Sequence, residues 1–260
     1  MGKLYSFLRI YDIANILVPN IAVALLFLAF FPFQEGLRAF LLFPPFYFLA
    51  LVFISLANSI GDEADDKNAG KALPLRIFPK QAAFFLLFAA GLGFLAIGYF
   101  SNQLAFLSAL LLFAFTIIYS LKPFRLKGRG FLGVTIAALG LGPVPFLFFL
   151  SFATINSQEI FFLAWLFSRQ IFVELFHQLC DLETDKKNGT KTFAVWAGKK
   201  ATKNILGILF MALIIATALP LFILGAFGMA VSLGLFALSF RQMADAAKVI
   251  YEIDSERDIK

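Results

Sequence analysis

Long apolar runs, each of about twenty residues, alternate with short polar stretches along nearly the whole chain. The pattern predicts eight helices, at 14–31, 40–60, 81–100, 103–120, 132–152, 159–180, 203–224 and 226–240. Phe40 to Ala57 shows the type, with eighteen residues and no charge. In lipid each segment must satisfy its own backbone hydrogen bonds, which leaves helices or a closed barrel. The runs lack the two-residue alternation of a membrane barrel, so an all-α, polytopic transmembrane helical bundle is expected. No small-residue cleavage pattern closes the first run, and that helix is expected to serve as its own anchor.

Composition agrees. The 260 residues are 61% hydrophobic and 15% charged, with 36 Phe, against about half and a quarter in a soluble domain. The single Cys180 excludes an internal disulfide. The net charge of +6 raises nucleic acid as a partner, but its placement argues against it. With these spans, 20 of the 22 Lys and Arg fall on one side of the membrane. The positive-inside rule makes that side the cytoplasm. An integral protein of the cytoplasmic or inner membrane is expected, with its basic loops facing inward.

The second span ends in a burst of acid, Asp62-Glu-Ala-Asp-Asp66-Lys67-Asn-Ala-Gly70. The sixth ends in Asp181-Leu-Glu-Thr-Asp185-Lys186-Lys-Asn-Gly189. Both read D-x-x-x-D-K-x-x-G, offset by 119 residues. A repeat with that period predicts two four-helix halves, roughly 1–131 and 132–245, within one domain over 1–260, ending in a polar tail at 241–260.

Residues four apart share a helix face. Asn58, Asp62 and Asp66 therefore form one polar column, and Asp181 and Asp185 a second. Gln170, Glu174, His177 and Gln178 extend the second column upstream at helical offsets. Oxygen ligands at this spacing suit Mg²⁺, which takes one or two carboxylates and completes its shell with phosphate oxygens and water. Two facing columns would hold two ions and a diphosphate. Lys67, Lys71, Lys122, Arg125, Lys127, Arg129, Lys186 and Lys191 are near enough in sequence to contact the remaining phosphate oxygens. One acidic cluster at a wet helix end is more often solvated surface. Two copies in register, with the same trailing Lys and Gly, favour a site. Glu174 and His177 are intramembrane ionisable residues, functional candidates by default, although a structural hydrogen bond explains either about as well. Cys180 reads as packing.

These residues resemble the UbiA superfamily of membrane-embedded prenyltransferases. N-x-x-x-D-x-x-x-D at 58–66 and D-x-x-x-D at 181–185 look like its two aspartate motifs. DKKNGTKTFAVWAG, from Asp185 to Gly198, is similar to its D-x-x-x-G-x-x-T-x-x-V-x-x-G. The segment Tyr119-Ser-Leu-Lys-Pro-Phe-Arg-Leu-Lys-Gly-Arg-Gly-Phe-Leu-Gly133 resembles the stretch after the fourth helix in many members, and Leu73-Pro74-Leu75 stands where R-P-L is common. Ser59 replaces a frequent second Asp, Leu73 replaces the Arg, and members usually have nine helices where eight are read here.

The resemblance implies a transferase of alkyl (prenyl) groups. Asn58, Asp62, Asp66, Asp181 and Asp185 would hold Mg²⁺, in two ions, and through it the diphosphate of an allylic prenyl donor. Tyr119, Lys122 and Lys127 would orient that diphosphate, with Lys67 and Lys186 beside it, while Glu63 and Asp65 lie off the column. Glu174, seven residues and roughly 10 Å before Asp181, would sit where an acceptor meets the prenyl carbon. The prenyl tail would lie between helices. The acceptor is open among a quinone-precursor aromatic, a macrocycle alcohol and a glycerol phosphate lipid, with a lean toward the first two. A terpene cyclase on the same scaffold is the alternative. A cation or proton transporter is less favoured, because it would place its acids near the midplane.

Overall fold

In a computed structural model the chain is an all-helical bundle, described here for residues 33–63, 80–152 and 157–223. The helices are α1 (Phe33–Gly61), α2 (Lys80–Ser101), α3 (Gln103–Ser120), α4 (Phe131–Leu141), α5 (Pro143–Leu150), α6 (Ser157–Cys180), α7 (Leu182–Lys187) and α8 (Phe193–Ile223). A 3₁₀ turn at Leu126–Gly128 lies between α3 and α4. Gln34–Gly61, Lys80–Ser101, Gln103–Ser120, Phe131–Leu150 and Glu159–Cys180 are long and apolar enough to cross a membrane. The spans expected at 14–31 and 226–240 fall outside the described residues.

Three boundaries differ from the apolar pattern. α1 begins seven residues before its expected start and runs through Pro44 and Pro45. Neighbouring helices can accommodate such an interruption within a bundle. The expected span 132–152 is two helices, because the chain breaks at Gly142 (φ −103°, ψ −100°). Pro143 and Pro145 lack the N–H groups that would reach the carbonyls of Leu139 and Leu141, so one continuous helix would lose two bonds. A Cβ at Gly142 would stand 2.7 Å from the Ala138 carbonyl oxygen and 3.0 Å from that of Leu166. The break is thus buried in protein, where non-helical backbone is tolerated at membrane depth. α8 starts ten residues before the expected 203, with Gly198 in the left-handed region (φ 82°) between its first turns and the apolar run. Lys199, Lys200 and Lys203 follow it, so hydropathy alone separates those first turns from the apolar run.

Helix association in lipid relies on close packing rather than on a drive away from water. α1 packs on α2 and α5, α2 on α3, and α6 on α4 and α8. The centre is aromatic. Phe46 of α1 stacks on Phe148 of α5 with centroids 3.9 Å apart, and Phe53 stacks on Phe113 of α3 at 5.0 Å. Phe43 meets Phe146 at 5.4 Å. Each such pair adds about 0.5–1.5 kcal/mol beyond its area. Small residues set the α2–α3 distance, since a Cβ at Gly98 would lie 2.9 Å from that of Ala109. Asn102 caps α3 by accepting from Ala105 N at 2.9 Å, while its amide donates to the Ser151 hydroxyl at 3.0 Å.

Candidate active site

The first aspartate motif closes α1. Asp62 N donates to the Asn58 carbonyl at 2.8 Å, so helical spacing persists through the pair. Gly61 allows α1 to rest on the end of α3: an added Cβ would stand 2.2 Å from the Ser120 carbonyl oxygen. At this contact the Ser120 hydroxyl donates to Asn58 Oδ1. Asp66 and Lys67 lie outside the described residues, as do Asp65, Lys71 and Leu73–Leu75.

The connector from α3 to α4 then folds over Asp62. Arg125 takes a left-handed backbone (φ 38°) ahead of the 3₁₀ turn. Its Nη2 donates to Asp62 Oδ1 at 3.2 Å, and Lys127 Nζ donates to Asp62 Oδ2 at 2.6 Å. Gly133 seats the connector, for a Cβ there would meet the Leu126 carbonyl oxygen at 2.5 Å. Burial opposes the charge on Lys127, but Asp62 outweighs it, with Glu174 and Asp185 adding to the effect. The net result raises the ammonium above its usual range. Lys127 therefore stands in the field of both aspartate motifs and of Glu174.

The far end of the connector grips the second motif. Gly130 N donates to the Lys191 carbonyl at 3.0 Å, and Gly130 bridges Thr192. The Thr192 hydroxyl donates to Asp185 Oδ2 at 3.1 Å, while Asp185's own carbonyl accepts from Thr190 N at 2.9 Å. Asp181 sits at the turn between α6 and α7, and Asp185 N donates to its carbonyl at 2.8 Å, which retains the i,i+4 spacing. One polar segment thus joins Asp62 to Asp185 across the end of the bundle.

Deeper along α6, Glu174 Oε1 accepts from the Tyr119 hydroxyl at 3.0 Å and from Gln178 Nε2 at 2.9 Å. The structure therefore brings Tyr119 to Glu174. Gln170 and Gln178 are buried, whereas His177 is exposed, its ring 6.1 Å from that of Phe176. Among the described residues His177 makes no side-chain hydrogen bond, because three residues beyond Glu174 the helix has turned that position outward. Lys122, Arg129 and Lys191 are exposed. Lys186 is exposed as well and pairs with Glu183 at 3.1 Å. Glu63 pairs with Lys80 at 2.8 Å, off the Asp62 column as expected. Ser120 and the bridging part of Gln178 were not foreseen. Their partners lie 62 and 15 residues away, and no local pattern announces them.

The donor set fits Mg²⁺ and a diphosphate in kind. Asn58, Asp62, Asp181 and Asp185 each offer oxygen ligands, and Arg125 and Lys127 bring positive charge to Asp62. Among the described residues no three His, Cys, Asp or Glu side chains gather as a ready cation cage.

The fold and site define an integral membrane enzyme with paired aspartate motifs at one end of a helical bundle. Residues 73–249 match the UbiA prenyltransferase family, and the chain belongs to it. Members of this family transfer prenyl groups. The match begins after Asp62 and includes Asp181 and Asp185. No curated protein matches in sequence. Among solved structures, a UbiA homolog from Archaeoglobus fulgidus bound to GPP and Mg²⁺ is similar, with TM-score 0.74 and 20% identity over 92% of this chain and 85% of that one. The same homolog bound to DMAPP and Mg²⁺ gives 0.73 at 20% identity, with the same two coverages. A digeranylgeranylglyceryl phosphate synthase structure gives 0.65 at 19% identity, over 100% of this chain and 96% of that one.

Proposed function

We propose that this chain moves an isoprenoid chain from an allylic prenyl diphosphate to a lipophilic acceptor, a quinone-precursor aromatic or a related molecule, at the cytoplasmic face. The connector carries the reading. It draws Arg125, Lys127, Asp62 and Asp185 together where a charged head and a greasy tail would both be held, the head at the polar rim and the tail between helices. DMAPP and GPP, the ligands of the Archaeoglobus homolog, have that form.

Asn58, Asp62, Asp66, Asp181 and Asp185 would hold Mg²⁺, in two ions. When bound, Mg²⁺ neutralises charge on the leaving diphosphate. Lys127 and Arg125 are placed to move from Asp62 onto phosphate oxygens, with Lys67, Lys122 and Lys186 completing the basic rim. Loss of the diphosphate leaves an allylic cation, which the aromatic core shelters from water. Glu174 stands below the head group, where it would orient the acceptor or take its proton. Tyr119 would act through Glu174 as well as on the diphosphate.

The test is product mass spectrometry of purified protein, with a panel of prenyl diphosphates offered against a panel of acceptors, with Mg²⁺ and with EDTA. A prenylated acceptor that disappears in EDTA is expected. Asp181→Ala and Asp185→Ala should each lower turnover about a hundredfold or more. A cyclised hydrocarbon formed without acceptor would replace transfer by cyclisation, and full turnover in EDTA would end the metal assignment.

A further inference from the structure

Gln178 is 5% exposed and uses both ends of its side chain. Its Oε1 accepts from Phe193 N at 2.9 Å and from Ala194 N at 3.4 Å, the first turn of α8. Those N–H groups have no intrahelical acceptor, since they open the helix. They fix which way the amide points, because an amide has one accepting and one donating end. The Nε2 end is left facing Glu174, to which it donates at 2.9 Å. Tyr119 donates to the same oxygen. Glu174 Oε1 thus carries two donors, and no hydrogen bond to Oε2 is found among the described residues. One residue before Phe193, Thr192 holds Asp185.

We infer that Gln178 is a positioning residue, which aims the free oxygen of Glu174 at the reacting end of the substrate and keeps it in register with the Asp185 side of the head-group site. The inference rests on the prenyl-transfer reading and on Glu174 acting in it. Two bonds to Oε1 remove the freedom of the carboxylate to rotate. Oε2 is the oxygen left to meet an acceptor hydroxyl or the cation. The anchor is backbone, the start of α8, so the aim does not depend on a mobile side chain.

Gln178→Glu separates this role from simple capping. The new carboxylate still accepts from Phe193 N and Ala194 N, so α8 stays capped; its charge beside Glu174 should lower the melting temperature, and kinetics are read on the folded fraction. Once ionised, the new carboxylate can no longer donate to Glu174. A lost bond to a charged group predicts a kcat lower by about 10- to 100-fold, with KM for GPP unchanged. Because Gln178 acts through Glu174, adding Q178E to Glu174→Gln should cause no further loss. Where Q178E does not fold, Gln178→Met removes both ends at similar volume, and its folded fraction must show the same kcat-only loss. Wild-type kcat in Q178E, a raised KM in place of a lowered kcat, or losses that multiply in the double variant would overturn the assignment. A wild-type protein that prenylates nothing sinks the underlying reading; an active wild type beside a fully active Q178E sinks the role of Gln178 alone.

Discussion

Gly61→Ala tests whether the contact between α1 and α3 sets the first aspartate motif. The added Cβ would stand 2.2 Å from the Ser120 carbonyl oxygen and 3.0 Å from its carbon, where 3.4 Å is the near edge of ordinary contact. Both atoms are backbone, so no side chain can swing aside, and the helices must separate locally by about 1 Å. Overpacking of this kind costs about 1–3 kcal/mol. Alanine's better helix propensity returns about 1 kcal/mol, so the net loss of stability should be about 2 kcal/mol or less. Catalysis should suffer more. Asn58 and Asp62 flank the contact, the Ser120–Asn58 hydrogen bond crosses it, and a 1 Å misplacement can cost about a hundredfold in rate. Thermal unfolding in detergent and turnover with GPP, Mg²⁺ and acceptor should therefore diverge, with a small shift in Tm and a large fall in kcat/KM. Gly207→Ala is the control, since among the described residues nothing lies within 4 Å of its added Cβ, and it should retain full turnover. A Gly61→Ala protein with wild-type turnover and stability would refute the contact.

Lys127→Met should raise KM for the prenyl diphosphate about 10- to 100-fold, the scale of a lost charge-assisted bond, and Lys127→Arg should recover part of it; equal KM in all three would remove Lys127 from the head-group site. Folding raises the pKa of Lys127, so its pairing contributes fully below the unfolded value near 10.5 and is lost only as pH rises through the higher folded value; a pH–stability profile in which Lys127→Met differs from wild type by a step in the neutral range would contradict this. Reporter fusions at Gly128 and Gly189 should both report the cytoplasm, and opposite sides would separate the two aspartate motifs and end the shared site.

The helices were legible because lipid leaves the backbone few choices. Apolar length located α2, α3 and α6 to within two residues at each end. It failed at Gly142, where Pro143 and Pro145 sit in a run greasy enough to read as continuous, and at Phe193, where the helix begins before its apolar part. The helical spacing of Asn58 with Asp62 and of Asp181 with Asp185 was legible because i,i+4 spacing is local. The partners were not. Arg125 and Lys127 reach Asp62 from 63 and 65 residues away, and Tyr119 reaches Glu174 across 55. A basic loop beside an acidic helix end suggests attraction, but the backbone turn at Arg125 decides which cation meets which oxygen. His177 shows the reverse error: its 3-residue offset from Glu174 fits a helical stripe, yet Gln178 takes the inward place and His177 faces out.

Apolar packing and polar contacts have different work to do in such a bundle. Packing among Phe43, Phe46, Phe53 and Phe148 holds the helices together, but dispersion contacts are weak in direction, and helices in lipid can slide or rotate at small cost. Charge-assisted hydrogen bonds are short and directional. The connector from Leu121 to Gly130 supplies them to Asp62 through Arg125 and Lys127, and its other end is tied by the Gly130–Lys191 backbone bond beside Thr192, whose hydroxyl holds Asp185. The register between the two aspartate motifs is therefore set at the polar rim rather than in the core. A conservative change in the aromatic core should cost stability before it disturbs the site. A change in the connector should disturb the site while leaving the bundle folded.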